Sequence, residues 1–174
     1  MAKRRGYMNT GRLSAGIGIL IVAIASRAGA QSAKNQSETT ASTILFVCEH
    51  GAAKSVIAAA HFNRLAKEKG LPYRAISRGT NPDDVVAPAV LSGLSSEGLD
   101  VSTRRPTAIS DDDIRRAERI VSFATVLPAA KPAIRSKLLE WNDIPSTTQN
   151  YSAARAAIVR QVEDLVEKLA ANGK

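Results

Sequence analysis

The 174-residue chain holds one cysteine, one tryptophan, three tyrosines, three phenylalanines and two histidines. A single cysteine rules out an internal disulfide, so the fold must rest on a buried core, which a chain of this length can build. Long apolar runs are also missing. The longest, Leu13 to Ala25, falls short of the roughly 20 residues that an ordinary spanning helix needs. There is no internal repeat. The first thirty residues contain no acid at all.

That acid-free start has the composition of an export signal. Lys3, Arg4, Arg5 and Arg12 precede the apolar run, and Ser26-Arg27-Ala28-Gly29-Ala30 supplies a small-x-small ending, with cleavage expected between Ala30 and Gln31. The expectation is a cleaved signal over residues 1–30 and an exported protein, periplasmic or secreted, with no stable membrane insertion after cleavage. The alternatives are an uncleaved anchor and a cytosolic protein with a basic start. Arg4-Arg5-Gly6-Tyr7-Met8 partly matches a twin-arginine signal, which leaves the route open. Five of the 24 Lys and Arg and none of the 16 Asp and Glu lie before Gln31, so the remaining 144 residues carry +3 where the whole chain carries +8. The high pI belongs mostly to the leader, and no nucleic-acid partner follows from it. A lone thiol in an oxidising compartment is unusual, which draws attention to Cys48.

Residues 31–42 are polar and small and read as a flexible leader. From residue 43 to 174 strand and helix signals alternate. Thr43–Val47 is a continuous apolar run, the mark of a strand buried on both faces. Ser55–Lys69 has apolar residues at helical spacing and Gly70 where a C-terminal cap belongs. Tyr73–Ser77 predicts a second strand, and Arg78–Asp84, with Gly79, Asn81 and Pro82, a loop. Pro88 starts a short helix that Gly98 ends. Ser110 with Asp113 forms a capping-box pattern with acids in the first helical turn. Arg119–Ala124 predicts a third strand, Pro132–Leu138 a helix, and Leu139–Trp141 a fourth strand. Tyr151–Ala170 carries one apolar stripe: Ala154, Ile158, Val162, Leu165 and Leu169. The expected fold is therefore α/β: three layers, α/β/α, around a central parallel sheet of about four strands. Ligands in such sheets bind at the carboxyl ends of the strands, which directs attention to the residues after Val47.

Cys48-Glu49-His50-Gly51-Ala52-Ala53-Lys54-Ser55 joins that buried strand to a helix. Small residues at Gly51, Ala52 and Ala53 let the backbone curl, so that its amides can converge on an anion. The helix starting near Ser55 aims its positive end at the same place, and Lys54 adds a full charge. Such surroundings favour a nucleophilic sulfur. The bland alternative is an inert buried cysteine. His50 could act as a cation beside the sulfur or only cap the loop. His61, inside the first helix, reads as packing or surface. The mixed charges of the last helix read as a solvated face.

At these residues the chain resembles the low-molecular-weight protein tyrosine phosphatases and the arsenate reductases that share their fold. Cys48 and Ser55 match the ends of the family's loop of Cys, five residues, Arg and Ser after the first strand. Ser77-Arg78-Gly79-Thr80 is similar to a family Ser-Ala-Gly-Thr segment, and Glu97-Gly98-Leu99-Asp100 to a Glu-Gly-Ile-Asp segment. Trp141-Asn142-Asp143-Ile144-Pro145 is similar to the late loop that holds the general-acid aspartate, usually as Asp-Pro. The likeness runs from Thr43 to about Lys168. It implies two-step phosphoryl transfer from a phosphate monoester or phosphotyrosine-like oxyanion. The Cys48 thiolate attacks phosphorus, Asp143 protonates the leaving oxygen and then assists water, and Ser55 hydrogen-bonds the sulfur. The loop from Glu49 to Ser55 would hold the phosphate oxygens. It also implies that no metal and no organic cofactor are required.

This sequence departs from the family pattern in several places. The family arginine is Lys54, which keeps the charge and loses the planar fork, a change that should lower the rate by roughly 10² by analogy with loss of one aimed donor. His50-Gly51 stands where the family often has Gly-Asn. Ile144 separates Asp143 from Pro145. Arg78 stands in place of the usual alanine and is expected to supply the missing guanidinium to the loop. Trp141 is expected to line the substrate pocket or to belong to the core. The chain lacks the extra cysteines that thioredoxin-coupled arsenate reductases use to resolve a Cys–arsenic adduct. Two alternatives to an enzyme remain: a weakly catalytic or non-catalytic phosphate or arsenate binder of the same fold, and a thiol redox sensor built on Cys48.

Overall fold

The computed structural model describes residues 41–127 and 132–172; the expected signal over 1–30 and most of the leader over 31–42 lie outside the described residues. Four strands form one sheet: β1 (Ser42–Cys48), β2 (Tyr73–Gly79), β3 (Ala117–Ser122) and β4 (Leu138–Glu140). Their order across the sheet is β2-β1-β3-β4, and every pairing is parallel. Five helices connect and follow them: α1 (Lys54–Glu68), α2 (Pro88–Ser96), α3 (Asp111–Arg116), α4 (Pro132–Arg135) and α5 (Tyr151–Asn172). This is the expected α/β/α sandwich.

From Ile44 to Cys48 β1 is apolar and buried because it has strands on both sides and helices on both faces. Its alternation sorts the core into two layers. Ile44 and Phe46 face α1, α2 and α5, joining Phe62, Val90, Leu94, Ile158 and Val162. Leu45 and Val47 face the other way, onto Ala117, Ile120 and Ile134, with Ile114 of α3 packed beside them. Full burial of each such side chain contributes about 1.5–3 kcal/mol. An aromatic chain crosses the first layer. Phe46 lies 6.0 Å from Phe62 and 5.8 Å from Trp141, and Phe123 meets Trp141 edge-on at 5.5 Å.

Several element ends differ from the sequence expectation. β2 runs on through Arg78 and Gly79, because these residues pair with Val47 and Cys48 of β1. β3 begins at Ala117 and ends at Ser122 rather than running from Arg119 to Ala124. The capping box at Ser110 and Asp113 is formed, but α3 lasts six residues and passes straight into the strand. The Lys137 ammonium closes that junction, donating to the carbonyls of Ile114, Arg115 and Ala117 at 3.2, 3.2 and 2.9 Å. α4 stops at Arg135 because Leu138 already pairs with Ile120 in β4.

One buried polar group stands out in the α1–α2–α5 layer. His61 is fully buried. Its Nδ1 is 3.0 Å from Arg64 Nη2, while its Nε2 has no hydrogen-bond partner among the described residues and lies 3.6 Å from Glu97 Oε2. Glu97 is paired with the Arg155 guanidinium, which holds its carboxyl below the ordinary value. Burial lowers His61 from the ordinary 6.5 to about 4, with nearby Glu97 opposing the shift. The unfolded chain therefore takes up this proton first. The stability of the neutral, buried imidazole is fully present above about pH 6.5 and is lost progressively towards pH 4. The expected loss is at most about 3 kcal/mol. Urea denaturation of the wild type should show a falling midpoint over that interval, and His61→Leu should flatten it. An equal slope in both proteins would assign the acid sensitivity to other groups.

Candidate active site

The loop between β1 and α1 is held by its carbonyls. Those of Cys48, Glu49, His50 and Ala52 accept the main-chain N–H groups of Thr80, Asn81, Asp83 and Ala87 at 3.2, 2.8, 3.0 and 3.0 Å. In a trans peptide the C=O and the following N–H point in opposite directions. The amides of Glu49, His50, Gly51 and Ala53 are thereby turned away from the 80–87 segment, the orientation an anion nest requires. α1 adds to this. Its N-cap, Ala53, makes no side-chain capping bond, so the helix's first N–H groups remain available to a ligand.

Two glycines permit the bend. Gly51 has φ +60°, and a Cβ there would lie 2.8 Å from the Gly79 nitrogen. Gly79, at the end of β2, faces the mirror constraint, with the Gly51 nitrogen 2.8 Å from its own would-be Cβ. The two backbones touch where any side chain would separate them.

At the foot of the loop Cys48 Sγ is 3.1 Å from Ser55 Oγ, and both residues are buried. A cleft of about 420 Å³ opens over the sulfur, lined by Cys48, Glu49, His50, Ala53, Lys54 and, opposite, Phe123, Ala124 and Ser146–Thr148. Ala124 is held at φ +49°, an uncommon conformation for a residue with a Cβ. Its turn is braced by Ser122 Oγ donating to the Thr125 carbonyl at 2.8 Å.

The sequence-derived candidates fall into two groups. Cys48, Ser55, Lys54 and the loop residues from Glu49 to Ala53 come together. Lys54 lines the cleft, yet its ammonium donates to the Ile144 carbonyl at 2.8 Å. Asp143, Trp141 and Arg78 are placed elsewhere. Asp143 is exposed and lines a separate cleft of about 290 Å³ with Ala157, Arg160, Gln161 and Asp164 against α5. Trp141 is buried against Phe46 and Phe123 in the core. Arg78 does not offer its guanidinium to the loop. Nε and Nη2 each donate to Asp113 at 2.9 Å, and Nη1 donates to the Ser77 carbonyl at 2.9 Å. Burial pushes the Asp113 carboxyl up, but hydrogen bonds from Arg78 and Ser110 outweigh that and hold it below the usual carboxylate range. The acid of the α3 capping box, Asp113, is thus the partner of Arg78, which corrects the expectation of an anion-clamping arginine.

Sequence reasoning missed the far wall of the cleft and one buttress. Phe123 and Ala124 follow β3, the neighbour of β1, so the strand-end rule that located Cys48 also pointed to them. Ser146–Thr148 carried no comparable signal. Asp83 lies in a segment read only as a loop, but its side chain meets His50, with Oδ1 3.1 Å from Nδ1. Among the described residues no group of His, Cys, Asp and Glu is arranged to hold a metal ion, and no helix is long and apolar enough to cross a membrane.

A parallel sheet whose first strand runs into a cysteine-headed loop followed directly by a helix defines a small class of α/β proteins. The family model described as low molecular weight phosphotyrosine protein phosphatase matches residues 43–173. The chain belongs to this family. Among solved structures it is similar to a low molecular weight protein tyrosine phosphatase from T. tengcongensis, at 20% identity and TM-score 0.65, over 72% of this chain and 98% of the other. It is similar to the YwlE arginine phosphatase from Geobacillus stearothermophilus at 20% identity and TM-score 0.62, over 75% and 94%. An arsenate reductase from Archaeoglobus fulgidus matches at 29% identity and TM-score 0.54, over 71% and 98%.

The loop geometry has a direct test. Gly51→Ala should lower stability by at least about 1 kcal/mol, from the left-handed backbone alone, and should abolish phosphate or vanadate binding measured by calorimetry. A variant with wild-type urea midpoint and wild-type anion affinity would contradict the Gly51–Gly79 contact.

Proposed function

We propose that the chain is an exported phosphomonoesterase that works through a cysteinyl-phosphate intermediate. The observation that carries this reading is the Cys48–Ser55 pair, 3.1 Å apart, at the junction of β1, the anion loop and the uncapped start of α1. A phosphate monoester enters with its non-bridging oxygens towards the loop amides. These donors are fixed before the ligand arrives, so they stabilise the charge that spreads over the equatorial oxygens without reorganising. Cys48 Sγ attacks phosphorus from below and the ester oxygen leaves towards the cleft mouth. Ser55 Oγ donates to the sulfur and stabilises it again when water displaces it from phosphorus. The opposite wall, with Phe123, Ala124 and the hydroxyl-bearing Ser146–Thr148, combines apolar and polar groups and suits a leaving group with an aromatic body and a polar edge, as in a phosphotyrosine-like ester. Export rests on the basic, apolar and small-residue pattern of residues 1–30.

Some structural neighbours are named arsenate reductases. Arsenate has the shape and charge of phosphate and fits the same loop. Reduction by this chain alone has no support, because Cys48 is its one cysteine and no second thiol exists to resolve an arsenic adduct.

A second reading is favoured by one contact. The Lys54 ammonium is engaged by the Ile144 carbonyl, so the charge that stands in place of the family arginine is already held by the protein. That arrangement weakens transition-state stabilisation more than ground-state binding, as in an oxyanion-binding protein of low activity.

Turnover of 4-nitrophenyl phosphate separates the two. For a phosphatase, the wild type is active, Cys48→Ser is inactive, and Lys54→Arg is faster because a guanidinium can hold two oxygens. Absence of wild-type turnover, with phosphate or vanadate still bound, would favour the binder.

A further inference from the structure

Phosphoryl transfer to a buried sulfur needs a proton for the departing oxygen, and the aspartate expected to give it, Asp143, lines a different cleft. One other group at the mouth of the Cys48 cleft is built to move a proton. His50 lies in the loop itself and lines the cleft. Asp83 holds it twice: the Asp83 N–H donates to the His50 carbonyl at 3.0 Å, and Asp83 Oδ1 is 3.1 Å from His50 Nδ1. With Nδ1–H committed to that carboxylate, the ring's orientation is fixed and Nε2 is its working atom. Glu49 Oε2 is 3.7 Å from Nε2, beyond hydrogen-bond distance, so Nε2 keeps its bond free for a substrate. The imidazole is half-exposed, as a group that must meet an incoming ester requires. Glu49, Lys54 and Cys48 line the same cleft as His50.

We propose that His50, oriented by Asp83, is the general acid and base of this site in place of the late-loop aspartate. The proposal rests on the phosphatase reading. In the first step the Cys48 sulfur forms its bond to phosphorus as the phosphorus–oxygen bond breaks. The electron pair stays on the leaving oxygen, which takes the proton from Nε2 of the imidazolium, leaving a neutral ring with Nδ1–H on Asp83. In the second step the neutral Nε2 takes a proton from water as its oxygen bonds to phosphorus. The sulfur–phosphorus bond breaks with its electrons returning to sulfur, and the imidazolium is restored. One ester and one water become one alcohol and one phosphate. His50 is the catalytic residue and Asp83 a positioning residue.

A general acid matters most when the leaving group is a strong base. The test compares kcat/KM for phenyl phosphate, a basic leaving group, with that for 4-nitrophenyl phosphate, a weakly basic one, in the full chain. His50→Asn should lower the phenyl phosphate value by about 10²-fold or more and the 4-nitrophenyl phosphate value by less than about tenfold. Asp83→Asn should show the same grading at smaller size, with KM little changed, because it disturbs the ring's orientation and not the anion loop. An equal loss on both esters in His50→Asn overturns the proposal and marks the residue as structural. Grading that appears in Asp143→Asn or Glu49→Gln while His50→Asn lacks it assigns the proton to that residue and overturns it as well. In either case Cys48-dependent turnover by the wild type leaves the phosphatase reading standing. If the wild type hydrolyses neither ester, that reading fails and the proposal fails with it.

Discussion

The 2.8 Å constraint between Gly51 and the Gly79 backbone is the contact on which the rest of the site depends. It seats the loop on the end of β2, close enough for four loop carbonyls to be claimed by the 80–87 segment. Once the carbonyls are spoken for on that side, peptide geometry sends the amides to the other. The direction of the loop amides is therefore a result of how two strand ends meet, and no side chain of the loop is needed to set it. β2 reaches Gly79 instead of ending at Ser77 because Arg78 and Gly79 pair with Val47 and Cys48, which brings Gly79 under the loop.

Electrostatics around the site is arranged by pairing. Arg78, near the end of the strand that supports the loop, is consumed by Asp113, and through it the start of α3 is locked to β2. Lys54 is divided between cleft and Ile144 carbonyl. What remains unshared at the sulfur is the main-chain field: the loop amides and the start of α1. A site that relies on backbone dipoles more than on mobile cations is preorganised, and its donors stay aimed with or without a ligand.

Much of the fold was legible because the signals were local. The continuous apolar run of β1, the stripe of α5, Pro88 and Gly98 around α2, and the Ser110–Asp113 box each depend on residues within a turn or two of one another. The position of the sulfur was legible for the same reason, since a strand-to-helix turn of small residues can be read without knowing its partners. What escaped was set by partners distant in sequence. Whether Arg78 reaches the loop or Asp113 is decided by a residue 35 positions away. Asp143 lies against α5, two residues after Trp141, which packs in the Phe46–Phe123 cluster, and neither placement had a local signal. The end of α3 carried no local signal, because Lys137, which follows α4, closes it.

The bond from Lys54 to the Ile144 carbonyl ties the anion loop to the stretch between β4 and α5. On the proposed reading, an incoming oxyanion competes with that carbonyl for the same ammonium. Whatever free energy the anion gains by drawing the charge inward is withdrawn from the anchorage of the 141–150 segment. Reciprocity then requires that anything steadying Ile144 loosen the grip on the anion by an equal factor. Occupancy of the cleft and the looseness of its outer wall thus form a single thermodynamic variable, with one protonated amine as the shared coordinate.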